Sequence, residues 1–434
     1  MEQTVSGSSL TGTALTAEPL AFIGTSDLAG LLRGKSIPLA ELDNRMGRGV
    51  GITHSNLLLS VFGPIYDSPF GTQGDLMLVP DPATRIAIPA AGGPDIALLL
   101  GDFLETDGTP WACCPRHFLR RALAALHREY GLTVLAAFEQ ELVYSGVEDR
   151  PGSPYTLDAL RRQGAFGGTL LAAMRQAGIA PDSFLAEYGP RQFEVTCAPA
   201  AGVAAADQAV LVRELARAIA ARLGQRAILS PMLQADGVGN GTHIHWSLLD
   251  EVGRPATYDE SGVHGLSDEA EQMVAGILQH LPALTAVTAP SVASYYRLRP
   301  GRWAPTEVDL GVQDRGSALR ICPIYATAEE GPERQFNIEF RVADGASSPY
   351  LALAVLVWAG LDGLRQGLRL ADLARGLLPP SLETALALFE GSEAVAEWFG
   401  PQFRDVYSRF KRAELKALAG LDEAEIVARY AEVY

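Results

Sequence analysis

The sequence predicts a fold of the α+β class, with strands gathered in an N-terminal domain and helices alternating with short strands after it. Two observations favour this arrangement. Residues 21–105 consist of short apolar runs such as NLLLSVFG, DLMLVPD and IALLLGDF, separated by glycine and proline, which is typical of a strand-rich domain. Beyond them the pattern changes, because FLRRALAALHREY, within Pro115–Tyr130, has the apolar spacing of an amphipathic helix.

The chain of 434 residues is long enough for two domains. Residues 1–20 are rich in Ser, Thr and Gly, and we expect them to form a flexible tail. We place the domain boundary near residue 106, which gives an N-terminal domain of residues 21–105 and a larger domain of residues 106–434. Further helices of the larger domain are expected near residues 156–177, 204–223, 268–281, 349–367 and 402–418.

Composition excludes several classes of partner. A net charge of −16 disfavours nucleic acid and anionic membrane, since phosphate binding needs a basic surface. The longest apolar run, YLALAVLVWAGL, has 12 residues, which is too short to span a bilayer and predicts a buried helix. The four cysteines show neither metal-site nor disulfide spacing, and the first residues lack a signal segment. We therefore expect a cytoplasmic protein that has no membrane partner.

Three short segments carry ionisable residues at alternate positions, so each pair shares one face if the segment is a strand. The segments are FEQELVY, HIHWSL and FNIEFRV, and their pairs are Glu139 with Glu141, His243 with His245, and Glu339 with Arg341. For any one segment the alternative is a half-exposed strand with a polar outer face. Three such strands, each with residues that suit one metal site, favour a shared site.

A fourth segment, EYGPRQFEV, places Glu187 and Glu194 on either side of a Gly-Pro turn. If all these faces converge, they supply five carboxylates and a histidine. Sites dominated by oxygen ligands suit Mg²⁺ or Mn²⁺ rather than a structural zinc. The residues therefore predict a centre with two or more divalent ions, of a kind that is used in phosphoryl transfer.

Arginines suited to hold anions lie close to these segments in the sequence, since guanidinium groups bind phosphates and carboxylates bidentately. They are Arg297, Arg299, Arg315, Arg320 and Arg341. The chain has no GxxxxGK[ST] loop and no kinase-type glycine-rich loop. From the residues alone, we infer a metal-dependent enzyme that handles a nucleotide phosphate and an anionic substrate.

The chain resembles the glutamine synthetase family, in its bacterial type I-like branch. The matching stretches run in order along the sequence: GDLMLVPD, FEQELVYS, EYGPRQFEV, GNGTHIHWSL, YRLRPGRWAP, DRGSALRIC and IEFRVADGASSPYLALAVLVWAGLDGL. The resemblance implies a small N-terminal β-grasp domain, and a C-terminal catalytic domain in which helices pack an antiparallel half-barrel sheet. It also implies a homododecamer of two stacked hexameric rings, with active sites between adjacent subunits.

The resemblance further implies roles for individual residues, with ATP and Mg²⁺ (or Mn²⁺) as cofactors. One ion would be held by Glu141, Glu187 and Glu194, and a second by Glu139, His243 and Glu339. The nucleotide would contact His245, Ser247, Arg315 and Arg320, and the last two would act in catalysis together with Glu339. The amino-acid substrate would contact Arg297, Arg341 and Gly239.

Three positions depart from the glutamine synthetase pattern. The flap glutamate that helps to deprotonate ammonium in these enzymes corresponds here to Trp303, which cannot accept a proton. The Asp-Gly-Ser-Ser segment, whose aspartate binds ammonium, is missing, and Asp67 is the nearest candidate for a substrate contact. The asparagine that contacts the amino acid corresponds to Val238.

A site that keeps its ATP, metal and carboxylate ligands but lacks those for ammonium is expected to use another amine. We interpret the chain as a ligase that joins glutamate to a primary amine, a monoamine or polyamine, through a γ-glutamyl phosphate. The alternatives are a glutamine synthetase with a different ammonium site, a ligase for another acid, and a non-catalytic structural or regulatory member of the fold. Trp303 is assigned to the amine pocket; the alternative is packing against Tyr295 or Tyr296.

Overall fold

The computed structural model describes residues 17–325, 327, 329 and 331–434, so the expected tail of residues 1–20 lies almost wholly outside the described residues. The N-terminal part has six strands and two single-turn helices. They are β1 (Leu20–Ser26), β2 (Leu32–Pro38), α1 (Leu42–Arg45), β3 (Val50–Thr53), α2 (His54–Leu57), β4 (Asp75–Pro80), β5 (Ile86–Ile88) and β6 (Ile96–Glu105). The sheet has the order β2-β1-β6-β4-β3, with β5 also paired to β6, and β1 and β6 run parallel.

Helices and short strands alternate in the rest of the chain. The helices are α3 (Pro115–Tyr130), α4 (Leu157–Arg162), α5 (Phe166–Gln176), α6 (Val203–Arg222), α7 (Asp268–Thr288), α8 (Ser294–Arg297), α9 (Pro332–Gln335), α10 (Pro349–Gln366), α11 (Leu382–Gly391), α12 (Glu393–Leu418) and α13 (Glu423–Val433). The strands are β7 (Thr133–Phe138), β8 (Gln140–Tyr144), β9 (Pro181–Ala186), β10 (Gln192–Cys197), β11 (Ala200–Ala201), β12 (Ala227–Ile228), β13 (Ile244–Leu249), β14 (Glu307–Val308), β15 (Leu310–Val312), β16 (Leu319–Ile321), β17 (Ile338–Phe340) and β18 (Gly376–Leu377).

The strands of this larger part form two main sheets. A four-stranded sheet has the order β12-β8-β10-β9, and a six-stranded sheet has the order β11-β7-β13-β17-β16-β15. All pairs in both sheets are antiparallel except β15 with β16. Helix α10 is buried along most of its length and packs against α3 and α7, as its apolar sequence predicts. The predicted α+β class, with a strand-rich N-terminal domain and a helix-packed catalytic domain, is confirmed.

Several helix predictions need correction. The helix expected at residues 156–177 is two helices, α4 and α5, because Gly164 between them has a left-handed φ of 66°. Helix α7 continues beyond residue 281, through Pro282, since the residues that follow are buried. Helix α12 begins well before residue 402, and Gly400 with φ 73° interrupts it before the predicted part. No described helix is both long enough and apolar enough to cross a membrane.

Helices α11 and α13 were not predicted. The start of α13 has a recognisable signal, since the side chain of Asp422 accepts from the backbone of Glu425 and the Glu425 side chain accepts in return. This reciprocal arrangement satisfies two of the free N–H groups at a helix start.

A buried arginine joins the two parts of the chain. Arg116, in the first turn of α3, is fully buried and donates to Asp81 at 2.7 Å and Asp102 at 2.7 Å, both from the N-terminal part. It also donates to Asp207 of α6 at 2.8 and 2.9 Å, and the Tyr350 hydroxyl donates to the same carboxylate at 2.6 Å. One guanidinium therefore contacts three carboxylates where the parts meet, and Arg120 also pairs with Asp81 and Asp102.

We predict that Arg116→Met lowers the free energy of unfolding by about 3–5 kcal/mol, because the buried Asp207 carboxylate loses its cation. Urea unfolding monitored by circular dichroism measures the change. The matched control is Arg128→Met on the same helix. Arg128 is largely exposed, so its ion pair with Glu129 should contribute only about 0–1 kcal/mol to the free energy of unfolding. Equal losses for the two variants would contradict the assigned role of Arg116.

Candidate active site

The register of the six-stranded sheet aligns three ionisable side chains in one row. His245 of β13 lies directly opposite Glu339 of β17, and Glu339 lies opposite Arg320 of β16. Residues directly opposite each other on neighbouring strands project from the same face. His245 and Glu339 therefore share one surface of one sheet, whereas the residues predicted to share their faces, His243 and Arg341, lie just outside β13 and β17.

The segment FEQELVY was predicted to be a single strand, but it contains the end of one strand and the start of another. Phe138 ends β7 and pairs with Ile244 in the six-stranded sheet, whereas Gln140 begins β8 and pairs with Val195 in the four-stranded sheet. Glu139 lies at the crossing, and its N–H donates to the carbonyl of His243 at 2.9 Å. The chain changes partners here, so the two sheets meet at this residue.

A cavity of about 1090 Å³ lies where the sheets meet. Most of the predicted site residues line it: Glu139, Glu141, Glu187, Glu194, Gly239, His243, Arg297, Trp303, Arg315 and Arg341. Glu194 of β10 is placed there because it lies opposite Glu141 of β8 in the four-stranded sheet. Residues from both sheets and from the flap turn thus form one site.

The carboxylates gather around the ring of His243. Its Nδ1 lies 3.1 Å from Glu139 and 3.4 Å from Glu339, and its Nε2 lies 3.9 Å from Glu141. Ligand atoms of Glu139, His243 and Glu194 also lie within 4.8 Å of one another. The predicted set Glu139, His243 and Glu339 is therefore close together, and Glu194 approaches it from the other predicted set.

The pKa values of the carboxyl groups in this cluster indicate whether it suits a divalent cation. Burial and the nearby carboxylates of Glu139, Glu141, Glu187 and Glu339 raise the pKa of Glu194 to about 9. Burial likewise raises the pKa of Glu141. The carboxylates repel one another, and a bound cation relieves such repulsion while accepting their oxygen lone pairs. The donor set fits Mg²⁺ or Mn²⁺.

Glu339 is fully buried and forms ion pairs with both Arg320 and Arg341. Burial alone would raise its pKa, but His243 and Arg341 lower the pKa of this carboxyl below its usual value. The prediction that both arginines are available to anions needs refinement, because each shares its charge with Glu339. Arg341 lines the cavity, whereas Arg320 does not.

Arg297 is buried and its guanidinium donates to the carbonyls of Val342 and Ala343, the latter at 2.9 Å. Gly239 lies against its stem, since a Cβ at this glycine would come within 2.5 Å of the arginine Cγ. Arg297 therefore needs glycine at position 239. Arg315, in contrast, is exposed and makes no hydrogen bond with any residue that the structure describes.

Trp303 lies on the rim of the cavity and is 72% exposed, with a left-handed φ of 55° that is strained for a bulky residue. Its ring meets Tyr188 edge to face, with centroids 6.2 Å apart. Among the described residues, the aromatic partner of Trp303 is Tyr188 rather than Tyr295 or Tyr296. The indole is therefore available to a molecule in the cavity.

Arg299, which the sequence offered as an anion ligand, has another partner. Its guanidinium pairs with Glu423 at 2.7 and 3.1 Å and lies over the Tyr296 ring, 4.5 Å from the centroid. It does not line the cavity. Arg299 therefore stabilises the contact between the flap turn and α13.

Besides Arg299, Arg320 and Glu339, three further predicted residues lie outside the cavity lining. His245 lies 3.0 Å from Glu139 and 2.8 Å from Asn337, and Ser247 follows two positions further along β13. The Asp67 side chain is 99% exposed and 3.6 Å from Arg409. Its predicted substrate contact is therefore not with the cavity of its own chain.

Gln192 is a site residue that the sequence analysis missed. Its side-chain amide donates to Glu141 at 3.0 Å, to the carbonyl of Gly239 at 2.9 Å and to Asn240 at 2.8 Å. It thereby fixes the Glu141 carboxylate relative to the loop that contains Gly239 and Asn240. A signal was available, because Gln192 precedes Glu194 by two residues and so shares its face of β10.

Known proteins with the same sequence pattern share a family with this chain. Residues 112–430 match the family model "Glutamine synthetase, catalytic domain", and residues 13–111 match "Glutamine synthetase N-terminal domain". The chain is 36% identical to gamma-glutamylpolyamine synthetase of Streptomyces coelicolor, over 97% of this chain and 94% of that protein. It is 31% identical to glutamine synthetase of Mycolicibacterium smegmatis, with 90% of each covered.

Solved structures agree with this relationship. A crystal structure described as a novel glutamine synthase homolog superposes with a TM-score of 0.93 at 41% identity, covering 98% of this chain and 100% of that chain. A complex described as GmaS with ADP superposes with a TM-score of 0.80 at 26% identity, covering 94% and 96%.

We predict that the affinity for Mn²⁺ rises with pH between about 6 and 9, by up to about tenfold per pH unit. The raised pKa means that the Glu194 carboxyl holds a proton at neutral pH, and a cation must displace this proton. Calorimetric titration at several pH values measures the slope. Glu194→Gln should weaken binding and flatten the slope; an unchanged slope in this variant would contradict the assignment.

Proposed function

Because the chain belongs to the glutamine synthetase family, we propose that it forms a γ-glutamyl amide from glutamate, a primary amine and ATP. Trp303 is the observation that carries the choice of amine. At the position where the family's ammonia-using members carry a glutamate, this chain places an exposed indole at the rim of the cavity. An indole cannot accept a proton from ammonium, but it can contact an alkyl chain or the face of a cation.

The proposed reaction has two steps. A γ-carboxylate oxygen of glutamate attacks the γ-phosphorus of ATP, the bond to the bridging oxygen breaks, and ADP leaves. The amine nitrogen then attacks the carbonyl carbon of the γ-glutamyl phosphate. The carbon–oxygen bond breaks, phosphate leaves with the former carboxylate oxygen, and the nitrogen loses a proton.

The residues of the cavity supply binding and charge for these steps. Arg297 and Arg341 are proposed to bind the carboxylates of glutamate, and Arg315 and Arg320 the transferred phosphate. His245 and Ser247 are proposed to complete the nucleotide site, and the related structure described as a complex of GmaS with ADP supports a nucleotide substrate.

The metal ligands are proposed as the two sets given by the family pattern. Glu141, Glu187 and Glu194 would hold one Mg²⁺ or Mn²⁺ ion, and Glu139, His243 and Glu339 would hold a second. Such ions neutralise phosphate charge when bound.

Assembly and domain limits are also proposed. A homododecamer of two stacked hexameric rings would place the exposed Asp67 of one subunit near a site of another. We keep the boundary between the β-grasp and catalytic domains near residue 106, between the end of β6 at Glu105 and the start of α3 at Pro115. Light scattering measures the mass of the assembly.

We predict that the protein releases ADP in the presence of glutamate, Mg²⁺ and a primary alkylamine or polyamine, and at least about tenfold more slowly with ammonium. A coupled assay over a panel of amines measures this, with mass spectrometry of the γ-glutamyl product. Release with ammonium alone would favour glutamine synthetase. Release only after glutamate is replaced by another acid would favour a different acid substrate. No release under any of these conditions would favour a non-catalytic role.

We predict that Trp303→Glu changes the preference for the amine. The new carboxylate can attract ammonium and accept its proton, so the ratio of kcat/KM for ammonium to that for an alkylamine should rise by about tenfold or more. Trp303→Gln is the matched control, because it removes the indole without adding a charge. An unchanged ratio in Trp303→Glu would contradict the role of the indole in the amine pocket.

A further inference from the structure

Asp236 is a carboxylate that lines the same cavity and has none of the roles assigned above. It is exposed, and within the described part of the chain its side chain makes no hydrogen bond and no ion pair. The five glutamates of the metal cluster lie on strands or directly beside them, whereas Asp236 lies on a loop at the rim. A free carboxylate that faces a substrate cavity is available for a cation.

The loop that carries Asp236 is held in position by backbone and side-chain contacts. A backbone bridge closes the loop of residues 232–239. The guanidinium of Arg302 donates to the carbonyl of Ala235 at 3.0 Å and to the carbonyl of Gly237. These are the two residues that flank Asp236, so Arg302 holds the backbone on both sides of the carboxylate.

Arg302 also links this carboxylate to the aromatic rim. The next residue in the chain is Trp303, whose indole is exposed and meets Tyr188 edge to face. A cation at the rim can therefore lie near a carboxylate and near aromatic rings, both of which attract it. The net charge of −16 adds a long-range attraction for polycations.

We propose that Asp236 binds a second positive charge of the amine substrate, remote from the nitrogen that reacts, so that the substrate is a diamine or polyamine. Trp303 contacts the alkyl chain between the two charges, and Arg302 is a positioning residue that acts through the Asp236 loop. This inference rests on the proposed function, because it concerns the amine of that same reaction.

The test compares two amines of equal length, 1,4-diaminobutane and 1-butylamine, in the full-length protein with saturating glutamate and ATP. The wild type should prefer the diamine, and Asp236→Asn should lower its kcat/KM by at least about tenfold more than that of 1-butylamine. Asp236→Glu should restore part of the preference. Asp43→Asn, which alters an exposed aspartate of the N-terminal part outside the cavity lining, is the matched control.

Two further measurements distinguish a role of the Asp236 loop in binding the diamine from a purely structural role. Arg302→Met should raise KM for the diamine more than it lowers kcat, because it loosens the loop without touching the reacting atoms. Raising the salt concentration should reduce the diamine preference of the wild type and leave that of Asp236→Asn nearly constant, since salt screens the exposed ion pair.

Equal losses for both amines in Asp236→Asn, or a wild type without diamine preference, would overturn the role of Asp236 while leaving the amine ligase intact. A wild type that uses ammonium alone would overturn the proposed function itself. These two failures are distinguishable in the same assay, because the first retains activity with 1-butylamine and the second does not.

Discussion

Repulsion among the glutamates at the centre of the catalytic domain is the constraint on which the rest of the site depends. Glu139, Glu141, Glu187 and Glu194 line one cavity, and Glu339 is buried beside it. Without compensation such a cluster is unfavourable, and the pKa of Glu194, which burial and the neighbouring carboxylates raise, expresses that cost. Arginines and His243 compensate part of the charge, and divalent ions are suited to compensate the remainder.

The fold brings these groups together by joining two sheets at one residue. The chain leaves the six-stranded sheet at Phe138 and enters the four-stranded sheet at Gln140, so Glu139 belongs to neither. Carboxylates from both sheets can then face the same space. The positions of these carboxylates are rigid because strand pairing sets them. The residues at the rim lie on turns instead, and among them Trp303 has a strained backbone. The rigid strand positions suit activation of the carboxylate, and the turn residues at the rim suit recognition of the amine.

The sequence predicted the cluster well because alternation along a strand is a local property. Short segments alone made Glu141, Glu194 and His243 candidates for a shared site, and the structure shows that their segments converge on one cavity. Hydrogen-bond partners could not be assigned in this way, because they depend on register between distant strands and on loop closure. The ion pair of Glu339 with Arg320 joins two neighbouring strands, and the contact of Arg299 with Glu423 joins segments far apart in the chain. The position of Gln192 on the Glu194 face of β10 could be predicted locally, but its hydrogen-bond partners and the placement of Asp236 at the cavity required the same long-range information.

The central claim is that this site activates the γ-carboxylate of glutamate and transfers the acyl group to an amine other than ammonia. The most direct test uses glutamate labelled with ¹⁸O in the γ-carboxylate, together with ATP, Mg²⁺ and 1,4-diaminobutane. Our account predicts that each phosphate released carries one ¹⁸O atom and that γ-glutamyl amide forms in equal amount. Phosphate without label would show that water attacks ATP directly, and it would contradict the account.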